Sequence, residues 1–223
     1  MKAIIFGATG MVGQGVLREC LRDPEVTHIL LIGRTSTETR DAKVTELVHR
    51  DLTDYSAIAE QLRGCDACFF CLGVSSAGMR EDAYRRITYG ITLAAAETLA
   101  RLNPAMTFIY VSGTGTDSSE KGRVMWARVK GATENALLRL PFAAAYMFRP
   151  GFIQPLHGIR SKTRLYSVLY SVSAPLYPLL RMAAGKYLTT TQELGRAMLC
   201  VAKRGAAKPI LESTDIAAAA RSC

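Results

Sequence analysis

The sequence predicts an α/β protein with a doubly wound, mostly parallel sheet and helices on both faces. Short apolar runs, typical of buried strands, alternate along the chain with segments in which apolar residues recur at helical spacing. The first run, residues 3–6, leads through a glycine-rich turn into an amphipathic helix that continues to about Arg22. Strands that alternate with helices in this way form parallel sheets, because each helix carries the chain back to the same edge.

Three glycines, Gly7, Gly10 and Gly13, separate the first strand from its helix. In a turn of this kind the first glycine permits the tight bend, the second lets the backbone approach a pyrophosphate, and the third lets the helix pack closely on the strand. The start of the helix also offers unpaired N–H groups to an anion. The spacing therefore predicts a dinucleotide-binding turn, with an ordinary strand-to-helix turn as the alternative.

The segment 6–13, Phe-Gly-Ala-Thr-Gly-Met-Val-Gly, resembles the cofactor loop of the extended and atypical short-chain dehydrogenase/reductases. Segments as far as residue 153 resemble the atypical subgroup that includes the Tat-interacting-protein-type oxidoreductases and other NAD(P)H-binding, epimerase-like proteins. The resemblance implies a Rossmann-type sheet in the order 3-2-1-4-5-6, with the cofactor along the strand ends. Besides the three glycines, it implies cofactor contacts from Thr9, Met11 and Val12.

Length and composition agree with one domain. The chain of 223 residues is long enough to bury a full core, and we expect a single NAD(P)-binding domain over residues 1–223. A small substrate-side portion is expected at about residues 152–187. The opening apolar run is too short for a signal peptide, so we interpret it as a structural strand of a cytoplasmic protein.

Six cysteines are present, and Cys65, Cys68 and Cys71 have a spacing found among metal ligands. Residues 67–72, however, are predicted to form a buried strand, which would point Cys65 and Cys68 to opposite faces. It would also separate Cys65 from Cys71 by roughly 20 Å. We therefore predict no metal site and interpret the cysteines as buried free thiols of a reducing compartment.

The second strand is predicted at residues 27–32, after a helix end marked by Pro24. In this fold an acid just past that strand binds the 2′-hydroxyl of NAD, whereas an arginine there accommodates the 2′-phosphate of NADP. The sequence has Arg34 and no acid at this place, which favours NADP over NAD. The alternative is an arginine in a solvated turn.

The third strand is predicted at residues 44–48 and is followed by Asp51 and Leu52. This step resembles the Asp-Leu step of the family, in which the acid and the next backbone amide face the adenine ring. A second interpretation is a helix N-terminus for residues 55–62, with Thr53 or Asp54 as the cap. The two interpretations are compatible, because they use different residues.

The fourth strand, residues 67–72, runs into a loop of small residues at the end of the strand, where open α/β sheets bind ligands. The Cys-Leu-Gly segment of residues 71–73 resembles the family's loop that lies against the nicotinamide ribose, and this resemblance implies cofactor contacts from Leu72, Gly73 and Val74. A helix is predicted over residues 82–102. Its buried stripe is expected to contain Tyr84, Ile87, Ile91, Ala94, Ala95, Thr98 and Leu99, with Arg80, Arg85 and Arg86 on the solvated face.

The fifth strand, residues 106–111, ends in Ser112 and Thr114, where the family has its catalytic serine or threonine. The next helix contains Lys130, which matches the family's lysine. In the family a tyrosine four residues earlier is the general acid, and this spacing puts both side chains on one helix face. Here that position is Trp126.

Trp126 cannot replace the tyrosine, because an indole N–H does not release its proton near neutral pH. Three alternatives remain open. Another group could supply the acid, such as Thr114, Ser112, a water molecule or a tyrosine from the C-terminal third; the site could let water supply the proton; or the protein could carry out no chemistry. Lys130 would still bind the nicotinamide ribose.

The sixth strand is predicted at residues 144–148 and continues into Arg149, Pro150, Gly151 and Ile153. This resembles the Arg-Pro-Gly-x-Ile step of the family, whose backbone passes the nicotinamide carboxamide. The proline fixes φ and the glycine permits close approach.

The chain then becomes basic. Residues 135–192 contain no Asp or Glu and seven of the positive charges behind the net charge of +9. Residues 165–180 form an uncharged apolar run that is too short, and too interrupted by two prolines, to span a bilayer. We interpret this run as a lid or substrate-side helix packed on the sheet or on a second subunit. The alternatives are peripheral membrane contact through residues 160–186 and, least favoured, nucleic acid.

The end of the chain shows ordinary α/β patterning. A helix is predicted over residues 192–203 with Thr190 or Thr191 as its cap. A short strand at 208–211 and a helical turn at 216–220 are expected to follow.

The leading prediction is an NADP(H)-dependent oxidoreductase or epimerase-like enzyme that acts on a small carbonyl substrate. Ser112, Thr114 and Lys130 are its candidate catalytic residues. The competing prediction is a catalytically silent protein that senses NADPH and passes the signal to a partner or to a membrane.

Overall fold

The computed structural model describes residues 1–159 and 188–222, and its centre is a seven-stranded parallel sheet. The strands of this sheet are β1 (Lys2–Phe6), β2 (His28–Gly33), β3 (Val44–Val48), β4 (Ala67–Phe70), β5 (Thr107–Val111), β6 (Ala144–Arg149) and β9 (Ile210–Glu212). The strand order is β3-β2-β1-β4-β5-β6-β9, so the predicted order 3-2-1-4-5-6 is confirmed and one further strand extends the edge beyond β6.

A second, two-stranded parallel sheet pairs β7 (Phe152–Gln154) with β8 (Leu188–Thr190). The sequence patterns did not predict this pair, because three-residue strands are too short to show an alternating pattern. The apolar run at 165–180, with its interpretations as a lid, a subunit contact or a membrane-surface helix, lies outside the described residues. Within the described ranges, no helix combines the length and the apolar character needed to cross a membrane.

Helices cover both faces of the large sheet, as predicted. They are α1 (Met11–Arg22), a 3-10 helix (Ser56–Leu62), α2 (Glu81–Arg85), a π-helical turn (Arg86–Gly90), α3 (Ile91–Leu102), α4 (Met125–Leu137), α5 (Thr191–Arg204) and α6 (Ser213–Arg221). One core lies between the sheet and the helices α1, α5 and α6. The other lies on the opposite face, under the 3-10 helix and α3. The central strands are apolar on both faces because both faces are covered.

The helix predicted as continuous over 82–102 is interrupted by the π-helical turn Arg86–Gly90. A π turn inserts an extra residue and therefore rotates the buried face of everything beyond it. Ile87, expected in the buried stripe, is exposed. The buried positions of α3 are Thr92, Leu93, Ala95, Ala96, Leu99, Ala100 and Leu102.

Several predicted boundaries move by one or two residues. The fourth strand ends at Phe70 instead of residue 72, although the amide of Cys71 still donates to the carbonyl of Phe6 at 3.0 Å. The segment predicted as a helix at 55–62 is a 3-10 helix, and Tyr55 at its N-cap makes no side-chain cap hydrogen bond. Of the two predicted caps, Asp54 accepts the amide of Ser56, the first residue of this helix, at 2.8 Å through its carboxylate.

At the C-terminal end, Thr190 is the cap of α5 and forms a capping box with Glu193, which decides between the two predicted caps. The turn expected at 216–220 is the longer helix α6. Helices α1 and α5 pack closely through Gly15 and Gly195. A Cβ on Gly15 would lie 2.5 Å from the carbonyl oxygen of Thr191.

The cysteines depart from the predicted free state at one position. Cys20, Cys65, Cys68 and Cys71 are free, whereas Cys200 is disulfide-bonded. The prediction of free thiols is therefore wrong for Cys200. In residues 1–159 and 188–222 no cluster of His, Cys, Asp and Glu side chains could hold a metal ion.

Candidate cofactor and active site

An open cavity of about 1120 Å³ runs along the carboxyl ends of the strands. It begins at the β1–α1 turn and the end of β2, passes the ends of β4 and β5, and reaches α4 and the segment after β6. The sequence-predicted residues that line it are Gly7, Thr9, Gly10, Met11, Val12, Arg34, Leu52, Leu72, Gly73, Val74, Ser112, Thr114, Lys130, Pro150, Gly151 and Ile153.

Two predicted cofactor residues do not line the cavity. Gly13 lies beneath the turn, where a Cβ would come within 2.2 Å of the carbonyl oxygen of Gly7. This contact explains the third glycine as a packing requirement. The Asp51 carboxylate accepts the amide of Thr53 at 2.9 Å and its hydroxyl at 2.6 Å, so it closes its own turn, while Leu52 faces the cavity.

The β1–α1 turn is shaped for close approach of an anion. Gly7 has φ +79, and a Cβ there would lie 2.9 Å from the backbone of Cys71 and Leu72, the loop after β4. Gly10 is the N-cap of α1, no side chain caps the helix, and its first turn contains no acid. The first amides of α1 therefore face the cavity with the positive end of the helix dipole.

Lys130 lies at the opposite end of the cavity, where α4 passes the end of β5. Its Nζ donates a short hydrogen bond to the backbone carbonyl of Ser112. Burial lowers the pKa of Lys130 to about 8, and the neighbouring carboxylate of Glu134 opposes this shift in part. An ammonium with this pKa can change its protonation state near neutral pH.

The two hydroxyls after β5 are engaged by the protein. The Oγ of Ser112 is buried between the carboxylate of Glu134 and the carbonyl oxygen of Phe148, at 2.5 and 3.1 Å. The hydroxyl of Thr114 donates to the carbonyl oxygen of Arg149 at 3.1 Å. Of these two predicted catalytic hydroxyls, Thr114 is the less buried.

A buried ion pair beneath this end was not predicted. The Nε of Arg149 contacts the two carboxylate oxygens of Glu134 at 3.0 and 3.2 Å, and Glu134 has no solvent exposure. Arg149 also binds Ser118 at 2.6 Å and Glu212 at 3.2 Å. The bonds with Glu134 and Glu212 raise the pKa of Arg149, although its burial opposes this shift. Glu134 follows Lys130 by four residues, or about one helical turn. This spacing is the one sequence signal that could have placed Glu134 beside the site.

Trp126 is partly buried but is not among the residues that line the cavity. Its ring lies beside the loop after β5, where a Cβ on Gly115 would come within 3.5 Å of the ring carbon Cη2. In the described part of the chain, no tyrosine lines the cavity. The family's tyrosine therefore has no replacement by another phenol among these residues.

The end of the cavity near β2 and β3 contains charged residues of both signs. Arg34 and Arg50 line it and are exposed. The carboxylate of Glu46, on β3, accepts hydrogen bonds from Ser36 and Thr37 of the turn after β2. The sequence predicted Arg34 but neither Arg50 nor Glu46.

The sequence profile of the NAD(P)H-binding family matches residues 7–141, which include the glycine turn, the ends of the first five strands and Lys130. The chain belongs to this family. The match supports a nicotinamide cofactor and an oxidoreductase-like role for this NAD(P)H-binding protein.

Two relatives support the narrower resemblance. Protein FMP52-2, mitochondrial, from Scheffersomyces stipitis is 29% identical over 216 residues, which cover 95% of this chain and 89% of the relative. Protein HTATIP2 from Rattus norvegicus is 29% identical over 152 residues, which cover 67% of this chain and 61% of the relative. The resemblance to the Tat-interacting-protein-type branch of the extended short-chain dehydrogenase/reductases is thereby confirmed.

The prediction of a cytoplasmic protein is contradicted. Relatives from several fungi, which include Meyerozyma guilliermondii and Debaryomyces hansenii, are named mitochondrial.

Solved structures confirm the fold. UDP-N-acetylglucosamine 4-epimerase from Methanobrevibacter ruminantium matches with a TM-score of 0.70 and 12% identity, over 95% of this chain and 75% of that chain. WbmF from Bordetella bronchiseptica, in complex with NAD+, matches with a TM-score of 0.68 and 13% identity, over 99% and 77% of the two chains. At these identities the likeness shows a shared Rossmann-type fold and nothing finer.

Proposed function

We propose that this protein is an NADP(H)-dependent oxidoreductase or epimerase-like enzyme that acts on a small carbonyl compound, with Lys130 as its proton donor. The observation that supports the proposal best is the pairing of two features in one cavity. An uncapped helix N-terminus with a glycine cradle lies at one end, and a half-buried lysine with a pKa of about 8 lies at the other.

The residues along the cavity fit the cofactor. The amides of Met11 and Val12 would hold the pyrophosphate, since a helix N-terminus binds anions and Gly10 leaves room for them. Arg34 and Arg50 would bind the 2′-phosphate of NADP, which is the basis for preferring NADP to NAD. When bound, the nicotinamide supplies or accepts a hydride.

The remaining cofactor contacts are assigned by position along the cavity. Leu52 would face the adenine and the loop residues Leu72, Gly73 and Val74 would lie along the nicotinamide ribose. Lys130 and the segment Pro150, Gly151 and Ile153 would lie at the nicotinamide end.

The protonation step rests on Lys130. Its ammonium would give a proton to the carbonyl oxygen as negative charge develops there, because an acid is most effective when its pKa is near the operating pH. Thr114, the less buried of the two hydroxyls, would orient the same oxygen by turning its hydroxyl from the carbonyl oxygen of Arg149 to the substrate. The Ser112 hydroxyl is engaged by Glu134, so we assign Ser112 to positioning: its backbone carbonyl holds the amine of Lys130.

Trp126 favours a second candidate function, a protein that binds NADPH without turning over a substrate. The family's phenol is missing and Trp126 does not reach the cavity. In that case Lys130 would serve in binding alone.

Turnover and affinity together separate the two candidates. NADPH consumption is measured with aldehydes, ketones and quinones for the wild type and for Trp126→Tyr, and the NADPH dissociation constant is recorded for each. The enzyme proposal expects turnover by the wild type and little gain or some harm in Trp126→Tyr, because Lys130 already supplies the proton. Tight NADPH binding without turnover in either protein would support the sensor instead.

A further inference from the structure

Glu46 is the single carboxylate that lines the cavity in the described part of the chain. It projects from β3 beside Leu31 of β2, its partner in the strand register. This position puts an acid next to the turn after β2, in which the residue just past the strand is Arg34 and not an acid. The charge at this end of the cavity is therefore mixed, although Arg34 by itself indicates a basic site.

The carboxylate of Glu46 is held by three donors from the turn. The amide of Thr37 donates to Oε1 at 2.8 Å, and the hydroxyls of Thr37 and Ser36 donate short bonds to Oε1 and Oε2. Burial alone would raise the pKa of Glu46, but these hydrogen bonds outweigh it and lower the pKa below its usual value. Glu46 is therefore ionised at neutral pH.

This arrangement has two consequences for a 2′-phosphate. The hydroxyl protons of Ser36 and Thr37 are already donated to Glu46, so they are not offered to a phosphate. The fixed negative charge also repels the phosphate dianion. Arg34 and Arg50, in contrast, attract the phosphate. Within residues 1–159 and 188–222, neither arginine forms an ion pair that would neutralise its positive charge.

We propose that Glu46 is a cofactor-selectivity residue, which weakens the binding of a 2′-phosphorylated dinucleotide relative to the unphosphorylated one. Selectivity at this end is then the balance between Arg34 and Arg50 on one side and Glu46 on the other. The inference rests on the proposed binding of a nicotinamide dinucleotide and adds a second, opposing determinant to it.

The test compares Glu46→Gln with the wild type by fluorescence titration of NADPH and NADH. The quantity of interest is the ratio of the NADH to the NADPH dissociation constant. Removal of the charge should raise this ratio about tenfold, chiefly through tighter NADPH binding, since a lost like-charge contact of about 1.4 kcal/mol corresponds to that factor. Glu46→Ala removes the same charge by a different route and should raise the ratio in the same direction.

Glu38→Gln is the matched control. Glu38 is an exposed acid of the same turn, and its backbone amide donates a hydrogen bond to the hydroxyl oxygen of Ser36. The control loses the same charge and should leave the ratio within about twofold of the wild type. Circular dichroism of all variants checks the fold.

The outcomes separate this inference from the proposed function. If the wild type binds neither dinucleotide, both fail. If the wild type binds but the Glu46 variants leave the ratio unchanged, or weaken both dinucleotides equally, only the inference fails and Glu46 is an anchor of the turn.

Discussion

The two ends of the cavity are built in different ways. At the glycine turn the backbone forms the site: Gly7 bends, Gly10 exposes amides and Gly13 permits contact between helix and strand. At the Lys130 end the site depends on side chains, because Ser112, Glu134 and Arg149 form a buried polar network around the lysine. The first end should therefore control binding, and the second should control chemistry and contribute strongly to stability.

The largest expected effect is a loss of stability when the buried ion pair of Arg149 and Glu134 is broken. Glu134→Gln leaves the guanidinium of Arg149 without its buried counter-charge, and removal of one partner of such a pair costs about 3–5 kcal/mol. The free energy of unfolding, from urea titration, should fall by an amount of this order. Glu212→Gln is the control, because its pair with Arg149 is partly solvated, and its loss should be under about 1 kcal/mol. Equal losses in the two variants would contradict a special role for the buried pair.

The next effect is at the glycine turn. Gly10→Val should weaken NADPH binding at least a hundredfold, about 2.7 kcal/mol, because the side chain fills the place of the pyrophosphate. A Cβ at Gly10 would lie 3.2 Å from the carbonyl oxygen of Gly7, so the fold is retained with a small shift. Gly90→Val, where a Cβ meets nothing within 4 Å, is the control and should leave binding unchanged. A native circular dichroism spectrum with undiminished binding would show that the turn does not hold the phosphates.

Arg34→Ala should produce a smaller effect. Loss of a charge-assisted phosphate contact should weaken NADPH about tenfold, or 1.4 kcal/mol, with little change for NADH. Fluorescence titration with both dinucleotides measures this. NADPH and NADH weakened to the same degree would argue against a 2′-phosphate contact.

The smallest expected effect is on the pH dependence of turnover. Burial lowers the pKa of Lys130 to about 8, so its proton is present below that pH and lost above it. Reductive kcat should therefore be constant at lower pH and fall as the pH rises through about 8. The Glu134 carboxylate favours the charged lysine, so Glu134→Gln should move the fall to lower pH. If a folded Glu134→Gln variant keeps the wild-type pH profile of kcat, then Lys130 is not the group whose titration causes the fall.

The difference between the two ends also explains what the sequence could predict. The glycine turn follows from a local pattern, because its strand, turn and helix are contiguous in the chain. The strand order and most of the other cavity residues were predicted from the resemblance to the family. The pair of Arg149 with Glu134 and the contact of Glu46 with Thr37 join different elements, and only the folded sheet brings them together. The π turn before α3 was missed for another reason: a single inserted residue shifts a helical pattern, and the one glycine of this turn, Gly90, is also compatible with an uninterrupted helix.

The central claim is that Lys130 supplies chemistry while the glycine turn supplies binding. The most direct measurement records kcat and the NADPH dissociation constant for the wild type and for Lys130→Met on the same carbonyl substrates. The account predicts that Lys130→Met lowers kcat by about 10²- to 10⁴-fold, the usual contribution of a positioned acid, and weakens NADPH much less. A wild type that is inactive on every aldehyde, ketone and quinone, together with a Lys130→Met variant that changes only affinity, would contradict it.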